Sequence, residues 1–154
     1  MDLCPPDNII IDPDSLAYNG FTLDRIAGGK SYEEFCDFWE AFMETYFPDE
    51  KKPILIGQFI AADIAFLGSV FHHARKNKLY EKLGNDIIDT KSIANQANAI
   101  ARHNSTPLPF KSTSLSKPGG ISDTLHITDY EAHTARGDIM ATREALMKFL
   151  KFKK

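Results

Sequence analysis

The sequence predicts an α/β fold containing at least part of a parallel sheet. Two short apolar runs, Ile54-Leu55-Ile56-Gly57 and Asp86-Ile87-Ile88-Asp89-Thr90, are too short for helices and are bounded like buried strands. Each is followed by a segment with apolar residues at helical spacing. Strand and helix in alternation are what a parallel sheet requires, because its strands must be joined by crossovers.

Taken in order, residues 4–14 read as extended or looped. Pro5 and Pro6 disfavour helix, Ile9, Ile10 and Ile11 form a short β-branched run, and Pro13 closes it. Tyr18-Asn19-Gly20 reads as a turn. A helix is expected from Ser31, with Ser31 as N-cap and Glu34 as its capping-box partner. Phe35, Phe38, Trp39, Phe42 and Tyr46 fall at helical spacing, and Pro48 stops the helix. Pro53 leads into the first strand. The helix after it carries Ile64, Leu67, Phe71 and Ala74 on one face, with Arg75, Lys76 and Lys78 at its C-terminal end, where cations are favoured. Gly84-Asn85 turns the chain into the second strand. Ile93, Ala97 and Ile100 then mark a helix for which Asp89 or Thr90 is available as cap. Residues 104–120 are rich in Pro, Ser, Thr and Gly and read as one long loop, carrying Lys111 and Lys117. A last helix begins near Ala135 and runs on Ile139, Thr142, Leu146 and Phe149, ending among Lys148, Lys151, Lys153 and Lys154. No internal repeat is visible.

The length of 154 residues suits a single domain spanning 1–154. With 43% hydrophobic and 25% charged residues the composition is that of a soluble globular chain, and no apolar run approaches the ~18 residues that cross a bilayer. No basic segment followed by an apolar stretch opens the chain, so a cytoplasmic location is the expectation. Cys4 and Cys36 are too few for a disulfide framework and are expected to be free thiols. A formal net charge of −3 argues against a protein that grips nucleic acid through a broad basic surface. Carboxylate sites that recruit divalent cations are compatible with it, because the ions supply the local positive field.

Three residues stand where strands and helices hand over: Asp63 after ILIGQF, and His133 with Asp138 in His-Thr-Ala-Arg-Gly-Asp. Singly, each has a plain structural reading. Asp63 and Asp138 can favour the positive ends of their helices, and His133 can be a surface loop residue. A step of five residues turns about 140° around an α-helix, so His133 and Asp138 would not share a helical face. They converge only if His133 lies in the loop before the helix, a break for which Gly137 is suited. His72, His73, His103 and His126 have no partners at metal-ligand spacing and are expected on solvated surfaces. The scattered lysines read as solubility.

The layout His133-x4-Asp138 in HTARGDIMATREAL resembles the third motif of DEDDh (DnaQ-like) 3′-to-5′ exonucleases, and SLSKPGGISDTLHI resembles its lead-in. NGFTLDRIAGG, PILIGQFIAADIAFL and NDIIDTKSIA resemble earlier family segments in the family's order, the second with Asp63 as its acid. The resemblance implies a ribonuclease H-like three-layer fold and two Mg2+ or Mn2+ ions held by carboxylates at a nucleic acid 3′ end. Asp63 and Asp138 would be metal-binding carboxylates and His133 the general base. Oxygen ligands suit such hard ions, and a histidine's ordinary pKa of about 6.5 leaves it able to take a proton from water near neutrality. The implied partners are single-stranded DNA or RNA 3′ ends, with a polymerase or a second copy of the chain as further candidates.

Two departures limit this expectation. The family opens with D-x-E on the first strand of its sheet, and no such strand precedes the matched run here, so the fold is expected to lack the first strands of the central mixed sheet. Hydrolysis by this chain is then expected to be impaired, which leaves a catalytically dead binding or structural module as the alternative. Asp12 and Asp14 have the right i, i+2 spacing, but Pro13 between them does not suit a central strand. The second motif's usual G-H-N-x-x-F-D appears as Gly57-Gln58-Phe59-Ile60-Ala61-Ala62-Asp63. Phe59 is a candidate substrate-binding residue on which a base could stack, although its place in an apolar run favours a core role.

Overall fold

In the computed structural model, which describes residues 1–7, 9–48 and 51–151, the two apolar runs pair as parallel strands. Strand β1 (Leu55–Gly57) lies beside β2 (Ile87–Asp89), with Leu55 opposite Ile87, Ile56 opposite Ile88 and Gly57 opposite Asp89. The rest of the regular structure is helical, so the protein is mixed α/β with a small parallel sheet. The chain divides into two compact units, one formed by Met1–Ile54 and Ala62–Asp86 and the other by Leu55–Ala61 and Ile87–Lys154. Among the described residues no helix is long and apolar enough to cross a membrane.

The first unit holds α1 (Pro13–Asn19), α2 (Leu23–Ala27), α3 (Tyr32–Tyr46), all but the first residue of α4 (Ala61–His73), and α5 (Lys78–Glu81). The expected extended opening is corrected here. Pro13 begins a helix instead of closing a strand, because a first-turn proline forgoes an N–H that has no partner anyway. Asp12 caps that helix, its carboxylate accepting from Asp14 N at 3.1 Å and from Ser15 Oγ at 2.8 Å. Asp12 and Asp14 therefore do not form a strand-borne acidic pair.

Helix α3 starts as its sequence demands. Ser31 Oγ accepts from Glu34 N while Glu34 Oε2 accepts from Ser31 N at 2.9 Å, closing the capping box. Its aromatic residues stack along the axis, Phe35 on Trp39, Trp39 on Phe42 and Phe42 on Tyr46, and Trp39 also meets Phe71 of α4. On α3 and α4 the buried positions are Cys36, Met43, Val70 and Phe71, with Phe38 and Tyr46 left outside. Both cysteines are free thiols, and burial pushes the Cys36 thiol up from its ordinary pKa. His73 packs edge-on against Tyr32 and is half-buried, unlike the solvated side chain expected there.

The second unit combines the sheet with α6 (Thr90–His103), α7 (Ile121–Thr124) and α8 (Ala135–Phe149). Asp89 is the cap of α6. The buried stripe of α6 runs through Thr90, Ala94, Asn98 and Ala101, whereas the expected marker Ile100 is exposed. Small residues take this face because α6 and α8 meet through Ala94, Ala141 and Ala145 at the centre of the core, with Ile121, Ile127, Phe110 and Leu115 around them.

The loop over 104–120 carries two of those core residues, Phe110 and Leu115. At Phe110 it is held by the side chain of Asn98. Asn98 Nδ2 donates to Phe110 O at 2.9 Å and Asn98 Oδ1 accepts from Phe110 N at 3.1 Å, both bonds being buried. Lys148 is also structural, donating to Leu125 O at 2.7 Å and His126 O at 3.2 Å at the end of α7. Lys151 is exposed, and Lys153 and Lys154 lie outside the described residues.

Asn98→Ala leaves the buried N–H and C=O of Phe110 without partners and is expected to cost about 3 kcal/mol, a fall in Tm of roughly 6–12 °C by calorimetry. Glu34 gives a pH test. The Ser31 N–H, and then the Lys30 ammonium, hold its carboxyl below the ordinary value. Its stabilising contribution is therefore complete above about pH 4.3 and is lost as the pH falls through the lowered native pKa. The Tm advantage of the native chain over Glu34→Gln is expected to vanish in acid, and an advantage unchanged with pH would refute the assignment.

Candidate functional site

The second unit's polar groups gather where β1 and β2 end, the side of a parallel sheet on which open α/β folds bind ligands. Gly57 is the last residue of β1, and a Cβ on it would collide with the Ile60 side chain, which folds back over it and is buried. Between them Phe59 takes a left-handed backbone, φ 61°, and the residue is 53% exposed. The core place expected of Phe59 belongs to Ile60. The Phe59 N–H donates to Asp89 Oδ1 at 2.9 Å, and the same oxygen accepts from Lys91 N at 2.9 Å. Lys91 Nζ lies 4.2 Å from the centre of the Phe59 ring, in cation–π geometry.

Gln58 and Thr90 complete the strand ends. Thr90 Oγ is 2.6 Å from Gln58 Oε1 and 3.1 Å from Gly57 O, so its single proton can serve either oxygen. Gln58 Nε2 donates to Thr113 O at 2.9 Å, which ties the loop over 104–120 to the end of β1. Sequence reasoning did not single out Lys91. The register of the two apolar runs is the signal that finds it, since Phe59 and Lys91 each stand two residues beyond the paired Gly57 and Asp89.

His133 lies in the turn before α8, also left-handed with φ 64°, and is exposed. Thr134 caps the helix: its hydroxyl donates to Glu131 O at 2.8 Å and accepts from Gly137 N at 3.1 Å. Asp138 stands in the first turn, half-buried, and α8 lies against β1. Gly137 is not the break in the helix that the sequence suggests. It is buried in the first turn because the Glu131 carbonyl approaches so closely that a Cβ would collide with it. The sequence's single D-x-E string, Asp129-Tyr130-Glu131, lies in this same loop, off any strand, with Tyr130 packed on the core and both acids exposed.

Asp63 is exposed in the first turn of α4 and belongs to the first unit, whereas His133 and Asp138 belong to the second. Among the described residues, neither unit by itself brings three His, Cys, Asp or Glu side chains close enough to hold a metal ion. The first unit also has a cavity of about 650 Å3 lined by Met43 and Phe47 together with Lys51, Lys52, Lys78, Lys82, Glu44 and Glu81. None of the candidate site residues Phe59, Asp63, His133 and Asp138 lines it.

The sequence matches no protein-family model, and no curated protein or solved structure matches the chain.

Gly137→Ala forces the Glu131 carbonyl away from α8 and is expected to cost about 1–3 kcal/mol, read as a lower denaturant midpoint at unchanged m-value. Amide resonances from 131–138 should move with it. An alanine variant as stable as the native chain would show that the close approach does not hold the His133 turn.

Proposed function

We propose that this protein is a 3′-to-5′ exonuclease-like protein of the DEDDh type that engages single-stranded nucleic acid 3′ ends, with hydrolysis impaired in this chain. The observation that carries the reading is the arrangement about the start of α8: His133 in the turn ahead of a capped helix, Asp138 in its first turn. Outside a helix, His133 is not bound by the 140° separation that would otherwise keep it from Asp138. The ordered resemblance of the remaining segments supports the same reading. In it the mixed α/β architecture is ribonuclease H-like, Asp63 and Asp138 are carboxylates for Mg2+ or Mn2+, and His133 is the base. A cytoplasmic location belongs to the same proposal.

Impairment follows from the residues themselves. Asp12 is occupied as a helix cap, and Asp129 and Glu131 lie in a loop, so among the described residues no strand carries an acidic pair of the D-x-E kind. Residues of a catalytic unit fail together, so loss of half the carboxylates removes far more than half the rate.

The test is incubation of a 5′-labelled single-stranded oligonucleotide with the chain, with and without Mg2+. The expected result is binding with little or no shortening of the strand. Mg2+-dependent release of 3′ nucleotides that Asp138→Ala abolishes would overturn the impaired state and retain the family reading. Absence of binding to either DNA or RNA would overturn both.

A further inference from the structure

We propose that Phe59 and Lys91 form a nucleotide grip, in which a base stacks on the exposed Phe59 ring while the Lys91 ammonium leaves that ring for a phosphate of the same nucleotide. The inference rests on the nucleic acid reading above and names the side chains that would contact the ligand.

Two costs at one residue motivate it. A left-handed backbone is unfavourable for a residue with a Cβ, and leaving a phenylalanine ring exposed forgoes the gain of burying it. Phe59 incurs the backbone cost in full and part of the burial cost. Three of the other left-handed residues have an ordinary explanation: Arg75, Ser105 and His126 close the C-termini of α4, α6 and α7, where the next residue's N–H returns to a carbonyl of the helix. Phe59 follows a strand and closes no helix.

Its surroundings match a nucleotide. Every base has a π-face, and stacking on an aromatic side chain tolerates any of them. Lys91 supplies the charge for the phosphate, and its present hold on the ring is weak, since a cation–π contact at an exposed ring competes with water for the ammonium. Both residues are anchored in advance, because one oxygen of Asp89 accepts the N–H of each. The carboxylate also occupies the N-terminal end of α6, so the anion is assigned to the Lys91 side chain and not to the helix terminus. The ring and the ammonium stand at the carboxyl ends of parallel strands.

The test uses fluorescence anisotropy of the full chain with a labelled single-stranded oligonucleotide, the same strand made abasic, a nucleoside monophosphate and inorganic phosphate as competitors. Phe59→Asn removes the ring but accepts a left-handed backbone, so its thermal midpoint should not fall. It is expected to weaken binding roughly 5- to 150-fold, the equivalent of about 1–3 kcal/mol of stacking. Phe59→Trp should retain affinity, and Lys91→Gln should reduce the salt dependence by about one phosphate contact. Abasic DNA should bind the native chain as poorly as normal DNA binds Phe59→Asn, with no further loss when the two are combined. Competition by the monophosphate identifies a free nucleotide as sufficient, whereas competition by the strand alone assigns the grip to nucleic acid. Equal binding of normal and abasic strands by native and Phe59→Asn chains would overturn the grip and leave the nucleic acid reading standing. No binding of any strand by the native chain would overturn both.

Discussion

A single carboxylate oxygen joins the parts of the second unit that carry its polar chemistry. Asp89 Oδ1 accepts the N–H of Phe59 as the chain leaves β1 and the N–H of Lys91 as it enters α6. The sheet between them has only three residues in each strand, and two strands that short gain too few ladder bonds to hold a register unaided. Asp89, with Thr90 and Gln58, supplies bonds across the strand ends that the ladder lacks. Local conformation, strand register and the display of Phe59 thus depend on one capping residue.

Much of the fold could be read from the sequence because its signals are local. Ser31 and Glu34, Asp89 before Thr90, and the start of α8 at Ala135 are capping and periodicity effects settled within a turn of helix. Pro13 is ambiguous in the sequence because a proline suits both the end of a strand and the first turn of a helix, and the capping bonds of Asp12 decide for the helix. On α6 the apolar pattern pointed to Ile93, Ala97 and Ile100; Ala97 does pack against the core and Ile93 is half-buried, but Ile100 is exposed and the fully packed face carries Thr90, Ala94, Asn98 and Ala101. Close approach to α8 favours small side chains, and Asn98 is on that face because Phe110 needs a hydrogen-bonding partner there.

The candidate site was legible to the extent that it follows chain order. His133 before a helix and Asp138 within its first turn follow from spacing and a helix start. Phe59 is a candidate from its aromatic ring alone, but its exposure is not legible, since nothing in an apolar run marks the residue at which the backbone turns left-handed. That turn depends on Gly57 having no Cβ, so that Ile60 can fold over it and take the buried place. The Phe59–Lys91 contact depends in turn on strand register, a nonlocal property.

The loop over 104–120 also differs from what its composition suggests. Its first part, 104–109, is exposed, but Phe110 is bonded on both backbone groups to Asn98, and Leu115 is buried with the helices. To the backbone of Phe110, Asn98 does what a neighbouring strand would do. The loop therefore has two regimes of length tolerance: inserted residues can be absorbed before Phe110 at little more than loop-closure entropy, whereas one added between Phe110 and Leu115 would displace a core side chain.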